Sequence, residues 1–310
     1  MRWLFLRGDY DRNNRQGIKD DSDMWRQLFR GIAGDDEYHI WYRGRKNEVN
    51  LKKVTHVISR GGHEWQDRLV KKCIGAYKVY YGAGTRTIPK KDLYDLILVD
   101  CPEDREKCKK KYPNKKVSMW AKPAAAHFKP VECEKKFDIC YIADCNSPFQ
   151  EKIKGLKWLY KTVPMDLKVL HMGKSSIRLP GNVRLKRVTR KEMPRYISKC
   201  RLGVIPYSKY DSAPRAIPEM LACDVPVLAF DHVRVNWKTS PHFLVKSSKE
   251  DFWKQVRHML DMVKKNWEQS TKKGFRCSPV TENLFYEVGF YNLQAAVEHL
   301  KWLIEGGQDG

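Results

Sequence analysis

Acidic residues are scarce in this chain. There are 37 Asp and Glu against 60 Lys and Arg in 310 residues, a net charge of +23. An excess of that size favours a polyanionic partner, either nucleic acid or an anionic membrane face. Long apolar runs are missing too. No stretch approaches the ~18 apolar residues of a membrane span, so no transmembrane helix is expected. The apolar core of Met1-Arg-Trp-Leu-Phe-Leu-Arg7 is too short for a signal peptide and reads as a first strand. The nine cysteines contain no CxxC and no regular spacing. Cys133, Cys140 and Cys145 form the tightest group and fit no zinc pattern, so reduced thiols in a cytoplasmic protein are expected. There is no Walker loop, no Gly-x-Gly-x-x-Gly, no Ser-His-Asp pattern and no short internal repeat.

What is present alternates. Apolar runs at 2–7, 37–42, 54–58, 77–81, 93–99 and 117–120 read as strands, with helices at 24–33, 65–74 and 103–111 between them. The segment Ala121-Lys-Pro-Ala-Ala-Ala-His-Phe-Lys-Pro130 reads as a linker. The alternation then restarts, with strands at 137–142, 167–171, 183–185, 202–205, 225–230 and 243–245. Helices are expected at 151–161, from a Thr189-x-x-Glu192 capping box to about 200, at 250–267 and at 291–304. The class is α/β, with two doubly wound Rossmann-like domains. The expected division is 1–130, 131–290, and a C-terminal helix at 291–310 that could return to the first domain. At 42% hydrophobic residues the chain can fill two cores.

One stretch carries the chemistry: Asp211-Ser-Ala-Pro-Arg-Ala-Ile-Pro-Glu219-Met-Leu-Ala-Cys-Asp-Val-Pro-Val227. It lies between two buried strands and contains a helix start, so it forms a parallel βαβ unit. Ligands of such sheets sit at the carboxyl ends of the strands. Asp211 in the loop and Glu219 on the helix can both face that edge.

The stretch resembles the nucleotide-sugar domain of GT-B glycosyltransferases, most of all the retaining family 4 group, whose pattern is E-G-F-G-x-x-x-x-E-A-M-A-x-G-x-P-V. The run Glu192-Met-Pro-Arg-Tyr-Ile-Ser-Lys-Cys-Arg-Leu-Gly-Val-Ile-Pro-Tyr-Ser208 resembles that group's helix-strand-Pro-x-Ser segment, and Met119–Pro130 its interdomain segment closing on Phe-x-Pro. The likeness covers residues 94–305 well and the first 90 weakly. It implies a cleft between two domains and a metal-independent transferase without a cofactor. Its substrate would be a nucleotide sugar, here read as a UDP-sugar. Glu219 would accept both ribose hydroxyls, Asp211 the donor-sugar hydroxyls, and the Ser212 and Ala213 amides the pyrophosphate.

The chain departs from the pattern in several places. Asp211 stands where the family has Glu, and Ser212-Ala213-Pro214 replaces Gly-Phe-Gly, with Pro214 removing one N–H donor. Pro218 suggests a late or kinked helix start. Asp144 takes the approximate place of a family arginine, while Lys154-Gly155 matches its Lys-Gly pair. Lys154 is thus either a pyrophosphate ligand or a solvated helix lysine, and Arg215 is a substitute cation. Val188 would offer backbone contacts to the base.

In the first half, Gly8, Arg60-Gly-Gly-His63 and Gly82-Ala-Gly-Thr-Arg86 end strands and line the same kind of edge. Gly8 would let the backbone approach the donor. Arg60, His63, Arg86 and Asp11 are acceptor-side candidates, and His63 joins Asp211 and Glu219 as a catalytic candidate, its alternative being a structural loop histidine. Asp9-Tyr-Asp11 resembles a metal-binding D-x-D, but its place after the first strand fits a cap or acceptor contact better. With the basic runs at 43–46, 107–111, 115–116 and 184–191, the charge favours hydroxymethylated pyrimidine in viral, bacteriophage-type DNA as acceptor. Two other readings are transfer to a lipid-linked or cell-envelope glycan at a membrane surface, and a non-catalytic nucleic-acid-binding protein on a transferase fold.

Overall fold

A computed structural model describes residues 1–9, 23–43, 48–82, 88–120, 122–208, 214–233, 244–272 and 293–307, with the backbone alone at 8, 9 and 266–272. The chain divides into two compact units. Unit 1 is Met1–Lys122 with Leu293–Gly310, and unit 2 is Pro123–Asn292.

Unit 1 holds a parallel sheet of β1 (Arg2–Asp9), β2 (Glu37–Arg43), β3 (His56–Arg60), β4 (Tyr77–Tyr81), β5 (Leu96–Val99) and β6 (Lys116–Met119). Their order is β2-β1-β3-β4-β5-β6. Both faces of the sheet are covered, which is why β5 is buried at every position. One face packs Leu4, Leu6, Val57, Ile97 and Val99 against Val70 of α2 (Glu64–Lys72) and Cys108 of α3 (Pro102–Lys111). On the other lies α1 (Met24–Ala33), where the Phe5 and Phe29 rings stack at 4.0 Å. Asp23 caps α1 by accepting from the Trp25 and Arg26 amides. The helix α9 (Leu293–Ile304) joins α1, and the Trp120 indole donates to the Ala296 carbonyl at 3.1 Å.

Unit 2 holds β7 (Phe137–Cys145), β8 (Val169–Ser175), β9 (Val183–Lys186), β10 (Cys200–Ile205), β11 (Val227–Phe230) and β12 (Leu244–Ser247). The order β12-β11-β10-β7-β8-β9 is all parallel and reverses between β7 and β10. This is the dinucleotide-fold order, whose ligand crevice opens beyond the carboxyl ends of the two central strands. The helices are α4 (Pro148–Lys154), α5 (Leu156–Thr162), α6 (Met193–Ile197), α7 (Ala216–Leu221) and α8 (Phe252–Lys272).

The single helix expected over 151–161 is two. Gly155 breaks it with φ +68°, and a Cβ there would lie 1.8 Å from the Pro206 carbonyl oxygen. The close approach to the chain leaving β10 admits only glycine. The expected late start of α7 is also not seen. The helix begins at Ala216, and Pro218 sits in its first turn, where its missing N–H costs nothing. Among the described residues no helix is long and apolar enough to cross a membrane.

Candidate functional site

In unit 2, the carboxyl ends of β7, β10 and β11 are braced together. The chain leaves β10 as Pro206-Tyr-Ser208. The Ser208 amide donates to the Ile153 carbonyl on α4 at 2.7 Å. The Tyr207 hydroxyl donates to the Ile142 carbonyl on β7, and His232, just past β11, bonds the Tyr207 carbonyl through Nε2 at 2.9 Å. Lys154 ends α4 half-buried, with Nζ 4.3 Å from the Tyr207 ring centroid. This cation–π contact holds an ammonium at the switch point. At the end of β7, burial pushes the Cys145 thiol up to about 11, so it stays protonated near neutral pH.

Glu219 lies in the first turn of α7, buried, with Arg215 at the N-cap. Its carboxylate accepts through Oε1 from Nη2 of Arg190. Arg190 follows Val188 by two residues in the loop after β9. That loop is closed by Glu192, whose carboxylate accepts from the Thr189 amide at 3.0 Å and hydroxyl at 2.8 Å. The reading from sequence missed Arg190, Tyr207 and His232. Arg190 sits inside a capping-box pattern, which hid its side chain's partner 29 residues away. The sequence brings Lys154, Arg215 and Glu219 to the carboxyl edge of the sheet on α4 and α7, while Val188 follows edge strand β9. Asp211, Ser212 and Ala213 lie outside the described residues.

The turn after α7 carries a second departure. Asp224 stands where the family pattern has glycine, with φ +58°, the one positive φ among described non-glycine residues. Its Oδ1 is buried without a partner, and burial pushes its pKa up to about 7, opposed by nearby Lys135.

Unit 1 reverses its strand order between β1 and β3. Gly8 falls where the β1–β2 register shifts between Arg7 and Asp9. The buried Gln66 amide donates to the Leu6 and Arg60 carbonyls, 2.9 Å each, and its oxygen accepts the His63 amide at 2.8 Å. One side chain therefore ties the ends of β1 and β3. His63 is the N-cap residue of α2, half-buried, following Gly61 and Gly62, both at positive φ. The Arg60 guanidinium lies 4.5 Å from the Trp25 ring centroid. Beside it, Lys122 and the Tyr81 hydroxyl both bond buried Asp100. Asp11 and Arg86 lie outside the described residues. Among the described residues no three His, Cys, Asp or Glu side chains are grouped to hold a metal.

No protein-family model and no curated protein matches the chain. Solved structures do. A glycosyltransferase from Rickettsia africae ESF-5 aligns over 99% of both chains with a TM-score of 0.63 at 11% identity. The chain has the GT-B fold. Anabaena HepE, solved with UDP and glucose, matches at TM-score 0.60 over 99% of this chain and 100% of its own, at 10% identity. The DNA-modifying enzyme β-glucosyltransferase, solved with and without uridine diphosphoglucose, matches at 0.54 over 98% and 100%, also at 10% identity. The chain spans 55% of the length of S. aureus TarM, a further GT-B match at TM-score 0.54 and 14% identity.

Proposed function

We propose that the chain is a retaining glycosyltransferase that moves a sugar from a nucleoside diphosphate sugar, taken as a UDP-sugar, to a hydroxyl of hydroxymethylated pyrimidine in DNA. The observation that carries the donor half is Glu219: a buried carboxylate on the helix that follows a central strand of a dinucleotide-type sheet. A carboxylate there accepts from ribose hydroxyls through charge-assisted bonds. Asp211 takes the sugar hydroxyls. Lys154, Arg215 and the Ser212 and Ala213 amides meet the pyrophosphate and stabilise the charge that grows on the leaving phosphate. Val188 supplies backbone groups to the base. The acceptor hydroxyl attacks the sugar on the face from which the nucleoside diphosphate departs, and the leaving β-phosphate oxygen takes its proton.

On unit 1, Arg60, His63, Arg86 and Asp11 are the acceptor-side residues. The acceptor reading is supported by the charge of +23 and by the likeness in fold to a DNA-modifying glucosyltransferase. Lys and Arg would hold the phosphate backbone while the modified base leaves the stack.

Sugar release from UDP-glucose and related donors is the first test. Turnover by the full chain that falls by about 10²-fold or more in Glu219→Ala supports the donor half. No turnover of any nucleotide sugar would sink it. The second test compares hydroxymethylated duplex DNA with the free nucleoside across a salt series. A strong preference for duplex that fades with salt is expected, and equal rates without salt dependence would remove DNA as the acceptor.

A further inference from the structure

A buried carboxylate needs a partner, and a side chain that must meet a ligand needs a fixed orientation. Arg190 supplies both to Glu219. Its Nη2 donates to Oε1, while among the described residues Oε2 has no partner. Arg190 is itself anchored twice. Its guanidinium carbon lies 5.5 Å from the Phe128 ring centroid, and its carbonyl bonds His127 Nε2 at 3.0 Å. The arginine is thus clamped on one side by the segment that opens unit 2 and on the other by α7. A planar guanidinium held this way fixes the plane of the carboxylate it binds.

We propose that Arg190 is the positioning residue that makes Glu219 a diol acceptor: it occupies Oε1, turns Oε2 toward the nucleotide, and so sets the preference for ribonucleotide over deoxyribonucleotide donors. The inference rests on the reading that Glu219 meets the ribose. It requires no contact between Arg190 and the nucleotide. Replacing Arg190 lets the carboxylate rotate and weakens its grip on the hydroxyls, leaving phosphate contacts in place.

The test is calorimetric titration of UDP and 2′-deoxy-UDP into the full chain and into Arg190→Gln, Arg190→Lys and Glu219→Gln. The wild type should prefer UDP by about tenfold or more, the scale of one hydrogen bond to a charged group. Glu219→Gln should lose most of that preference. Arg190→Gln should lose it too, while its affinity for 2′-deoxy-UDP stays within about threefold of wild type. Arg190→Lys should fall between, since it keeps the charge without the fork. If Arg190→Gln does not fold, Arg190→Lys carries the same comparison. A merely structural role for Arg190 weakens both nucleotides alike and leaves the preference intact, and that outcome overturns the inference alone. A wild type that binds neither nucleotide overturns the donor reading beneath it.

Discussion

The Lys122 ammonium stands 2.9 Å from the Asp100 carboxylate, with both side chains buried at the carboxyl edge of the unit 1 sheet. The Tyr81 hydroxyl donates to the other Asp100 oxygen at 2.6 Å. Removing the lysine strands a buried charge, so Lys122→Met should cost about 3–5 kcal/mol. Hydrogen exchange at the β4 and β5 amides checks this, because it reads unit 1 separately. The double variant Lys122→Met/Asp100→Leu should cost less than the single one, since no charge is left unpaired.

Asp224 should make stability fall as pH rises. Its pKa is near 7 in the fold and about 3.9 in an unfolded chain. Between these values the folded chain holds a proton that the unfolded chain has lost, so unfolding free energy decreases from about pH 4 to pH 7 and levels off above. Asp224→Asn removes that slope while keeping a residue that tolerates positive φ. Asp224→Gly should remove the slope and also relieve the backbone strain, gaining about 1 kcal/mol or more at pH 7.5. Denaturant titrations at pH 4.5, 6 and 7.5 on the three proteins measure both effects.

Gly155→Ala places a methyl group against the Pro206 carbonyl at a backbone angle that glycine alone accepts freely. A loss of about 2 kcal/mol or more is expected, with weaker UDP binding because the chain after β10 must shift. Melting temperature and UDP titration on the same sample separate the two. Retained stability with full UDP affinity would count against a role for this contact in shaping the donor edge.

Lys107, Lys109 and Lys110 are exposed on α3. If the phosphate backbone of DNA rests on that helix, reversing all three to Glu should lower duplex affinity and flatten the salt dependence by up to about 3 in log–log slope. Hydrolysis of the nucleotide sugar should be unchanged. An unaltered salt slope would move the DNA contact elsewhere.

The strands were legible because parallel strands buried on both faces show as continuous apolar runs. Val227–Phe230 and Leu96–Val99 are buried at every position and stood out on that ground. Helix ends set by local chemistry were equally plain, as at Asp23, whose carboxylate caps the Trp25 and Arg26 amides. What escaped depends on residues distant in the chain. The break at Gly155 follows from Pro206, and nothing within the helix marks it. Pro218 suggests a late or kinked start to α7, yet its place in the first turn makes it harmless. Arg190 went unnoticed because local spacing explained its neighbours Thr189 and Glu192 completely. The pairing of Asp100 with Lys122 joins a strand end to a residue past the next strand, which no periodicity reveals.

Helix α9 packs on α1 and accepts the Trp120 indole proton, so the core around Phe29 and Trp120 contains residues from both ends of the chain. On the ribosome this orders events. All six strands of the first sheet and every residue of unit 2 are synthesised before Leu293–Ile304 exists. The first unit to emerge is therefore the last to close its core, and until then the face of α1 that awaits α9 is open to chaperones and to other nascent chains.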